Sequence, residues 1–337
     1  MVLVLGGTGL VGSYLLMYLT EKGTAVKAAY RQKSRIKNTR RIFEAYGKLP
    51  AFEQIQWVQA EIMDISSLED AFENVRYVYH CAALVSFDPS ESQKISEINI
   101  DGTANVVNLC LDKNIKKLCY VSSVAAIGEE TAGGCSNENT EWKKNDSTSN
   151  YSISKHYAEN EVWRASEEGL SVVIVNPSLI LGYGNWHSGS LAIIKKVSTG
   201  LSFYPPGANS FVGVRDVAKI MLQLMESSIE GERFILSSEN LSYKQLLDYI
   251  AEALQKPKPS KKAPRRVGKL LASMDYLRSA LFGQPRLLTR ESLNTSFNKK
   301  CYSSKKLRKE LKYEFEPIEE VMEESAEKFR HFPFIIG

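Results

Sequence analysis

Met1-Val-Leu-Val-Leu5-Gly6-Gly7-Thr8-Gly9-Leu10-Val11-Gly12 opens the chain: a short apolar run of strand length leads into glycines spaced GxxGxxG. Backbone N–H groups in the first turn of a helix have no intrahelical partner, and the helix dipole favours an anion beside them. In such a turn Gly6 permits the sharp exit from the strand, Gly9 lets backbone approach a pyrophosphate, and Gly12 lets the helix lie on the sheet. Leu10, Leu15, Leu16 and Leu19 then keep helical spacing, and Gly23 supplies a C-cap. The context of strand, turn and helix therefore predicts a dinucleotide site; a purely structural glycine turn is the alternative.

Strands and helices alternate outward from this turn. Val2–Leu5, Val26–Tyr30, 55–59, Tyr77–His80, Lys117–Val121 and 171–175 read as short apolar strands, and 95–113 and 151–168 as helices between them. That order predicts a doubly wound parallel α/β sheet with its ligand outside the carboxyl ends of the strands. After Pro177 the rhythm changes. Segments 182–189 and 204–209 are rich in glycine, proline and aromatics and read as pocket-lining loops, whereas 210–214, a helix near 217–226 and 233–236 read as a brief return to the sheet. Ser242 and Gln245 form a capping box for a helix ending near Gln255. The expected division is a dinucleotide domain over 1–176 with roughly 210–238, and a smaller, discontinuous substrate-binding region over 177–209 and 239–337.

At 337 residues and 43% hydrophobic content the chain is long enough for one large core or two modest ones. A net charge of +4 gives no argument for nucleic acid. The five cysteines, Cys81, Cys110, Cys119, Cys135 and Cys301, form no CxxC pair and lie near no histidine cluster, so they read as reduced, buried thiols, with no disulfide framework and no metal site. There is no apolar run of about 20 residues, and the first strand leaves no room for a signal peptide, so a soluble cytoplasmic protein is expected. The stretch 256–269 carries seven cations, three prolines and no acid. It reads as a solvated connection, a membrane-surface contact being the alternative. Beyond it, 267–282 has apolar residues at helical spacing.

Tyr151-Ser-Ile-Ser-Lys155 places a phenol and an ammonium four residues apart, on one helix face. A nearby cation favours phenolate and lowers the tyrosine pKa, making Tyr151 a candidate general acid or base. Lys155 can also hold a nicotinamide ribose. Ser122 and Ser123 follow the strand Lys117–Val121 at the ligand edge, where a hydroxyl can donate to a developing oxyanion. Asn99 sits on the long helix before that strand, in a supporting role or as an ordinary helix residue.

Taken together these motifs resemble the extended branch of the short-chain dehydrogenase/reductase superfamily, the NAD(P)-dependent epimerase/dehydratase family. The resemblance runs through Gly6 to Gly12, Glu61-Ile62, His80-Cys-Ala82-Ala83, Asn99-x-x-Gly102-Thr103, Ser122-Ser123, Tyr151-x-x-x-Lys155, Asn176-Pro177-Ser178 and Phe211-Val-Gly-Val-Arg-Asp216. It implies a Rossmann sheet, an NAD(P)-dependent enzyme, and Ser123, Tyr151 and Lys155 as the catalytic set with Asn99 in support. It further implies that Gly6, Thr8, Gly9, Leu10, Val11 and Gly12 hold the pyrophosphate, that Glu61 and Ile62 flank the adenine, and that Ala82, Ala83 and Val121 line the cofactor. Pro177 and Ser178 border the nicotinamide. Ser123 is preferred to Ser122 by its distance from Ile127-Gly128 in the family pattern. A homodimer through the two long helices is permitted by the same resemblance.

Departures from the family narrow the reading. Tyr30-Arg31, with Lys33 and Arg35 beyond, stand where NAD-preferring members place an acid, so NADP is favoured over NAD. A solvated basic loop is the alternative. Val124-Ala125 replace the acid pair of the sugar dehydratases, and Asn209 replaces an arginine that clamps a diphosphate in nucleotide-sugar epimerases. Val85-Ser86-Phe87 is similar to the dihydroflavonol-reductase-like and 3β-hydroxysteroid-dehydrogenase-like members. Val85, Ser123, Tyr183 and Phe211 are the expected substrate contacts, and Phe203, Tyr204 and Trp186 could complete an apolar wall, an aromatic cluster of ordinary core being the alternative. The expected reaction is hydride transfer between NADP(H) and a carbonyl or secondary alcohol of a small apolar substrate. A sugar epimerase with NAD and a non-catalytic dinucleotide-sensing protein are the alternatives.

Overall fold

In the first strand, β1 (Val2–Leu5), side chains alternate between two cores. Val2 and Val4 enter one apolar cluster while Leu3 and Leu5 enter another, so the strand is covered on both faces. It pairs with β2 (Val26–Tyr30) and β4 (Tyr77–His80), and β3 (Gln56–Gln59), β5 (Lys117–Val121) and β6 (Val172–Pro177) extend the same sheet. Further along come β7 (Leu179–Leu181), β8 (Phe203–Tyr204), β9 (Ala208–Gly213), β10 (Glu232–Leu236), β11 (Glu239–Ser242) and β12 (Lys261–Lys262). The computed structural model describes residues 1–334 apart from 87, 131–132, 147, 188 and 265–295. The helical spacing read at 267–282 lies outside the described residues.

Seven strands form the parallel sheet, in the order β10-β6-β5-β4-β1-β2-β3. The order reverses between β1 and β4, and the first glycine turn opens at that switch point, where a doubly wound sheet leaves a crevice. The helix Leu10–Glu21 begins at Gly9 with no side-chain cap and no acid in its first turn. On the opposite face the helix Asn150–Glu167 buries Ala158, Val162 and Ala165 against Leu118, Val172 and Ile174. Ser149 caps it by accepting from Ser152 N at 2.9 Å, which fixes Tyr151 in its first turn.

The expected continuous helix over 95–113 is divided. Ser92–Ser96 and Gly102–Asp112 are α-helical, and Glu97–Asp101 forms a π-turn between them. A second correction concerns the stretch 210–238, only part of which returns to the main sheet. β10 pairs with β6, but β9 joins a three-stranded sheet with β7 and β11. β10 already occupies the free edge of β6, leaving no ladder for β9. Phe203–Tyr204, expected partly as loop, pairs with Lys261–Lys262 in a small ribbon. The capping box at Ser242 and Gln245 forms as expected, opening the helix Tyr243–Ala253. Two later helices, Lys305–Leu311 and Ile318–His331, close over the second half.

The reading of five free thiols is also corrected. Cys135 and Cys301 form a disulfide across 166 residues of sequence, while Cys81, Cys110 and Cys119 remain free. A backbone bridge between Ser136 and Tyr302 runs beside it and brings the two cysteines together.

Candidate active site

The glycine turn is shaped by close backbone approach. Gly6 has φ +79°, and a Cβ there would lie 2.7 Å from Ala82 N, so the turn and the segment after β4 touch. A Cβ on Gly12 would lie 2.3 Å from Gly6 O, which forbids a side chain at position 12. Gly9 N donates to Gly6 O at 3.0 Å, and Ser13 Oγ donates to Gly9 O at 2.7 Å. Thr8, Leu10 and Val11 stay partly exposed along this cradle. A Cβ on Gly184 would lie 2.7 Å from Leu10 Cδ1, so the loop after β7 reaches the turn. Open N–H groups at an uncapped helix start fit a pyrophosphate.

The same edge holds most of the other residues expected to meet a dinucleotide. Arg31 and Arg35 are exposed just past β2, and Arg31 Nη1 lies 3.7 Å from Glu61 Oε1. Arg35 Nε donates to Gln32 Oε1 at 3.2 Å. Ile62 is buried against Gly102, whose absent side chain leaves it room: a Cβ there would be 2.6 Å from Ile62 Cδ1. Ala82 is partly buried and Ala83 exposed. Pro177 ends β6, and the buried Ser178 Oγ has no hydrogen-bond partner. An orphaned hydroxyl at the carboxyl end of a central strand suits a polar ligand there. These residues fit a nicotinamide dinucleotide.

Ser123, Tyr151 and Lys155 converge beyond β5. The Ser123 hydroxyl hydrogen-bonds the Tyr151 phenol and also accepts from Ala125 N at 3.1 Å. The hydroxyl of Ser122 is committed elsewhere. Leu118 and Tyr120 point to the face covered by the helix Asn150–Glu167, and Ser122, two residues on, donates to Glu159 of that helix at 2.5 Å. Ser123 is therefore the serine that faces Tyr151.

Lys155 is buried, and Nζ donates to Tyr120 Oη at 2.7 Å and to Val121 O at 2.9 Å. Burial lowers its pKa to about 7, against the opposing pull of Glu159 and Cys81. Tyr151 behaves differently from expectation. Burial raises the phenol pKa, and it is the Ser123 hydrogen bond that pulls it down. The ammonium's two short bonds go to Tyr120 and Val121, so two of its three donors are committed within the protein.

Asn99 lies at the π-turn. Its Oδ1 accepts from Leu84 N at 2.7 Å, and its Nδ2 donates to Leu84 O and Ser154 Oγ, both at 3.0 Å. It thus fixes the segment carrying Ala82 to Val85 rather than meeting Lys155. Val85 is 56% exposed at the tip of that segment. His80 Nε2 lies 3.1 Å from Thr103 Oγ1, and burial together with Lys155 lowers its pKa to about 3, so the imidazole is neutral.

Two expected substrate contacts are core residues instead. Tyr183 packs on Trp186 and Phe334 and donates to Phe332 O at 2.7 Å. Phe211 meets Tyr243 edge-on, and both Tyr183 and Phe211 are 1% exposed. Trp186 is wholly buried with them, so the expected aromatic wall is interior. Phe203 and Tyr204 retain exposed or half-buried positions on the β8 ribbon. Residues not anticipated from the sequence are Tyr120, which holds Lys155, and Glu159. The latter was readable as the next position on the Tyr151 and Lys155 face; its partner Arg233 carried no such signal.

Comparison with known proteins agrees with this geometry. The model of the NAD dependent epimerase/dehydratase family matches residues 2–236. Sterol demethylase protein B of Methylococcus capsulatus is 28% identical over 269 residues, 79% of this chain and 78% of that protein. A candidate dihydroflavonol 4-reductase of Synechocystis is 26% identical over 98% of this chain and 95% of its own length. The crystal structure of gox2253 superposes with a TM-score of 0.80 at 26% identity, covering 99% of this chain and 98% of that one. Among the described residues no helix is long and apolar enough to cross a membrane. The chain belongs to the NAD dependent epimerase/dehydratase family, and is an NAD(P)-dependent enzyme of the extended short-chain dehydrogenase/reductase type acting on a small molecule.

Proposed function

We propose that the protein is a reductase, transferring hydride reversibly between NADP(H) and a carbonyl or secondary alcohol of a small apolar substrate. The observation that carries this reading is the meeting of Ser123, Tyr151 and Lys155 beside the glycine turn. Hydride is the chemistry that a nicotinamide dinucleotide supplies when bound. In reduction the neutral Tyr151 phenol gives its proton to the substrate oxygen, and the Ser123 hydroxyl orients that oxygen. Its raised pKa keeps Tyr151 protonated at neutrality, as a proton donor requires. Lys155 holds the ribose with the donor capacity left over from Tyr120 and Val121.

Arg31 supports NADP, because a guanidinium can pair bidentately with a 2′-phosphate. Glu61, 3.7 Å from it, moderates that preference by competing for the same cation. Asn209 supports a substrate without a diphosphate: it is buried, with Nδ2 3.4 Å from Tyr243 Oη. A sterol and a dihydroflavonol, named in two of the relatives, are both ring systems without a diphosphate. The exposure of Val85 supports its meeting such a ring.

The test is a panel of apolar ketones and aldehydes with NADPH and with NADH, followed at the nicotinamide absorbance. Net consumption of NADPH with at least one substrate is expected. Retention of tightly bound NAD, with interconversion of sugars and no net consumption, overturns the reading in favour of an epimerase.

A further inference from the structure

Glu159 is the next residue on the Tyr151 and Lys155 face of the helix, and its side chain is almost wholly enclosed. Four donors converge on the carboxylate: Ser122 Oγ at 2.5 Å, Asn176 Nδ2 at 2.8 Å, Arg233 Nη1 at 2.9 Å and Trp163 Nε1 at 3.3 Å. Three of these come from neighbouring strands. β10 registers Ile235 against Asn176 of β6, and β6 registers Val175 against Val121 of β5, so Asn176 and Ser122 from the ends of β6 and β5, and Arg233 from near the start of β10, reach the same helix-covered face. A buried charge is costly unless it is paired and fully hydrogen-bonded, and a packed apolar residue would serve stability at least as well. The arrangement therefore calls for a role besides packing.

We propose that Glu159 is a positioning residue for the reaction centre, locking the ends of β5 and β6 so that Ser123 faces Tyr151, and sustaining the positive charge on Lys155. The first part follows a continuous path. Asn176 Nδ2 donates to Glu159 and also to Ser123 O at 3.0 Å, while Ser122, the preceding residue, is held by Glu159 directly. The peptide carrying Ser123 is thus gripped on both sides.

The second part follows from what surrounds the ammonium. The groups facing Lys155 are the Tyr120 phenol, the Val121 carbonyl, the Cys81 thiol, the His80 imidazole and Glu159, with Tyr151 one turn before it on the same helix and beside Tyr120. Burial raises the Cys81 pKa to about 12 and lowers that of His80 to about 3, so both are neutral near neutrality, and both tyrosines are pushed upward as well. Glu159 is left as the anion that favours the charged form of Lys155. Its second oxygen is shared with Arg233, which also donates to Glu138 O. This tie fixes the carboxylate in place.

The inference rests on Ser123, Tyr151 and Lys155 being the reaction centre, and one experiment separates the two. NADPH affinity is measured by fluorescence titration as a function of pH for the full-length wild type and for Lys155→Met, Glu159→Gln and Ser122→Ala, alongside turnover. Wild-type affinity is expected to weaken as pH rises through about 7, as Lys155 loses its proton. Lys155→Met removes that inflection. Glu159→Gln moves it to lower pH by about one pH unit, because an opposing charge is lost. Ser122→Ala leaves the inflection in place but lowers turnover about tenfold, in the range of a lost charge-assisted hydrogen bond. An inflection that survives Lys155→Met defeats the reaction-centre reading. One that disappears in Lys155→Met yet stays put in Glu159→Gln defeats only the role of Glu159. Should Glu159→Gln not fold, wild-type turnover in Ser122→Ala overturns the proposal by itself.

Discussion

The cofactor edge and the region after Pro177 are held together by ties of opposite reach. At the edge the hydrogen bonds that form the turn join sequence neighbours, Gly9 to Gly6 and Ser13 to Gly9, and the Ala82 segment closes on it from the adjacent strand. After Pro177 the ties are distant. Tyr183 donates to Phe332 O, Arg215 pairs with Glu316 and Glu324, and Tyr313 Oη donates to Asp216 Oδ1 at 2.8 Å. Short ties make a rigid frame that many substrates can share, and long ties let the second region vary while that frame is kept. On the proposed reading, chemistry belongs to the first region and stability of the second half to the second.

The division is most exposed to attack at Tyr151. Tyr151→Phe is expected to lower turnover by about 10²–10⁴-fold while NADPH affinity stays within about threefold, as loss of a general acid requires. Unchanged turnover would remove the chemistry from the first region altogether. Trp186→Ala should produce the converse, a loss of about 3–5 kcal/mol of stability by denaturant unfolding with cofactor affinity preserved. If instead the variant bound substrate poorly at full stability, the second region would be a pocket wall and not a core.

Gly12→Ala tests the frame itself. Its Cβ would lie 2.3 Å from Gly6 O, so about 1–3 kcal/mol of stability should go together with most dinucleotide affinity, read by thermal shift with and without NADPH. Arg31→Gln is smaller in scope. The ratio of NADPH to NADH affinity should fall about tenfold, roughly 1.4 kcal/mol, with no change in melting temperature. An unchanged ratio would mean that Glu61 neutralises Arg31 completely. Finally, Tyr183→Phe deletes only the bond to Phe332 O, costing about 1 kcal/mol of stability and leaving the substrate KM alone. A KM that moved would return Tyr183 to the pocket.

The same difference in reach decides how much the sequence reveals. Val2 to Gly12 can be read in isolation because strand, turn and helix are adjacent and each glycine answers a local steric demand. The alternation of Leu118, Tyr120 and Ser122 is equally local, but it turns Ser122 toward the helix that also carries Tyr151, so the choice between Ser122 and Ser123 rests on the distant Glu159, which takes the Ser122 hydroxyl. Tyr183 and Phe211 were misplaced because an aromatic residue near a loop carries no mark of which side it faces; Phe332, Phe334 and Tyr243 decide that, and they lie far along the chain. Cys135 and Cys301 went unpaired for the same reason, since their spacing has no motif and only the Ser136 to Tyr302 bridge aligns them. Sheet order sets a similar limit. Whether β9 or β10 takes the edge of β6 is a competition between two short apolar strands with near-equal claims.

The π-turn at Glu97–Asp101 works as a phase corrector between two surfaces that a straight helix could not satisfy together. Successive α-helical residues advance about 100° around the axis, so one additional residue in a turn resets which side the downstream helix presents. Upstream of the slip Ile95 is buried; within it Asn99 meets Leu84; downstream Gly102 closes on Ile62 and Thr103 on His80. Removing a single residue from the turn would restore ideal pitch and set these four appointments against one another. The clamp on the Ala82 to Val85 segment and the seat beside Ile62 are therefore coupled through the length of one helix turn, an indel-sensitive gauge lying between the two ends of the expected dinucleotide.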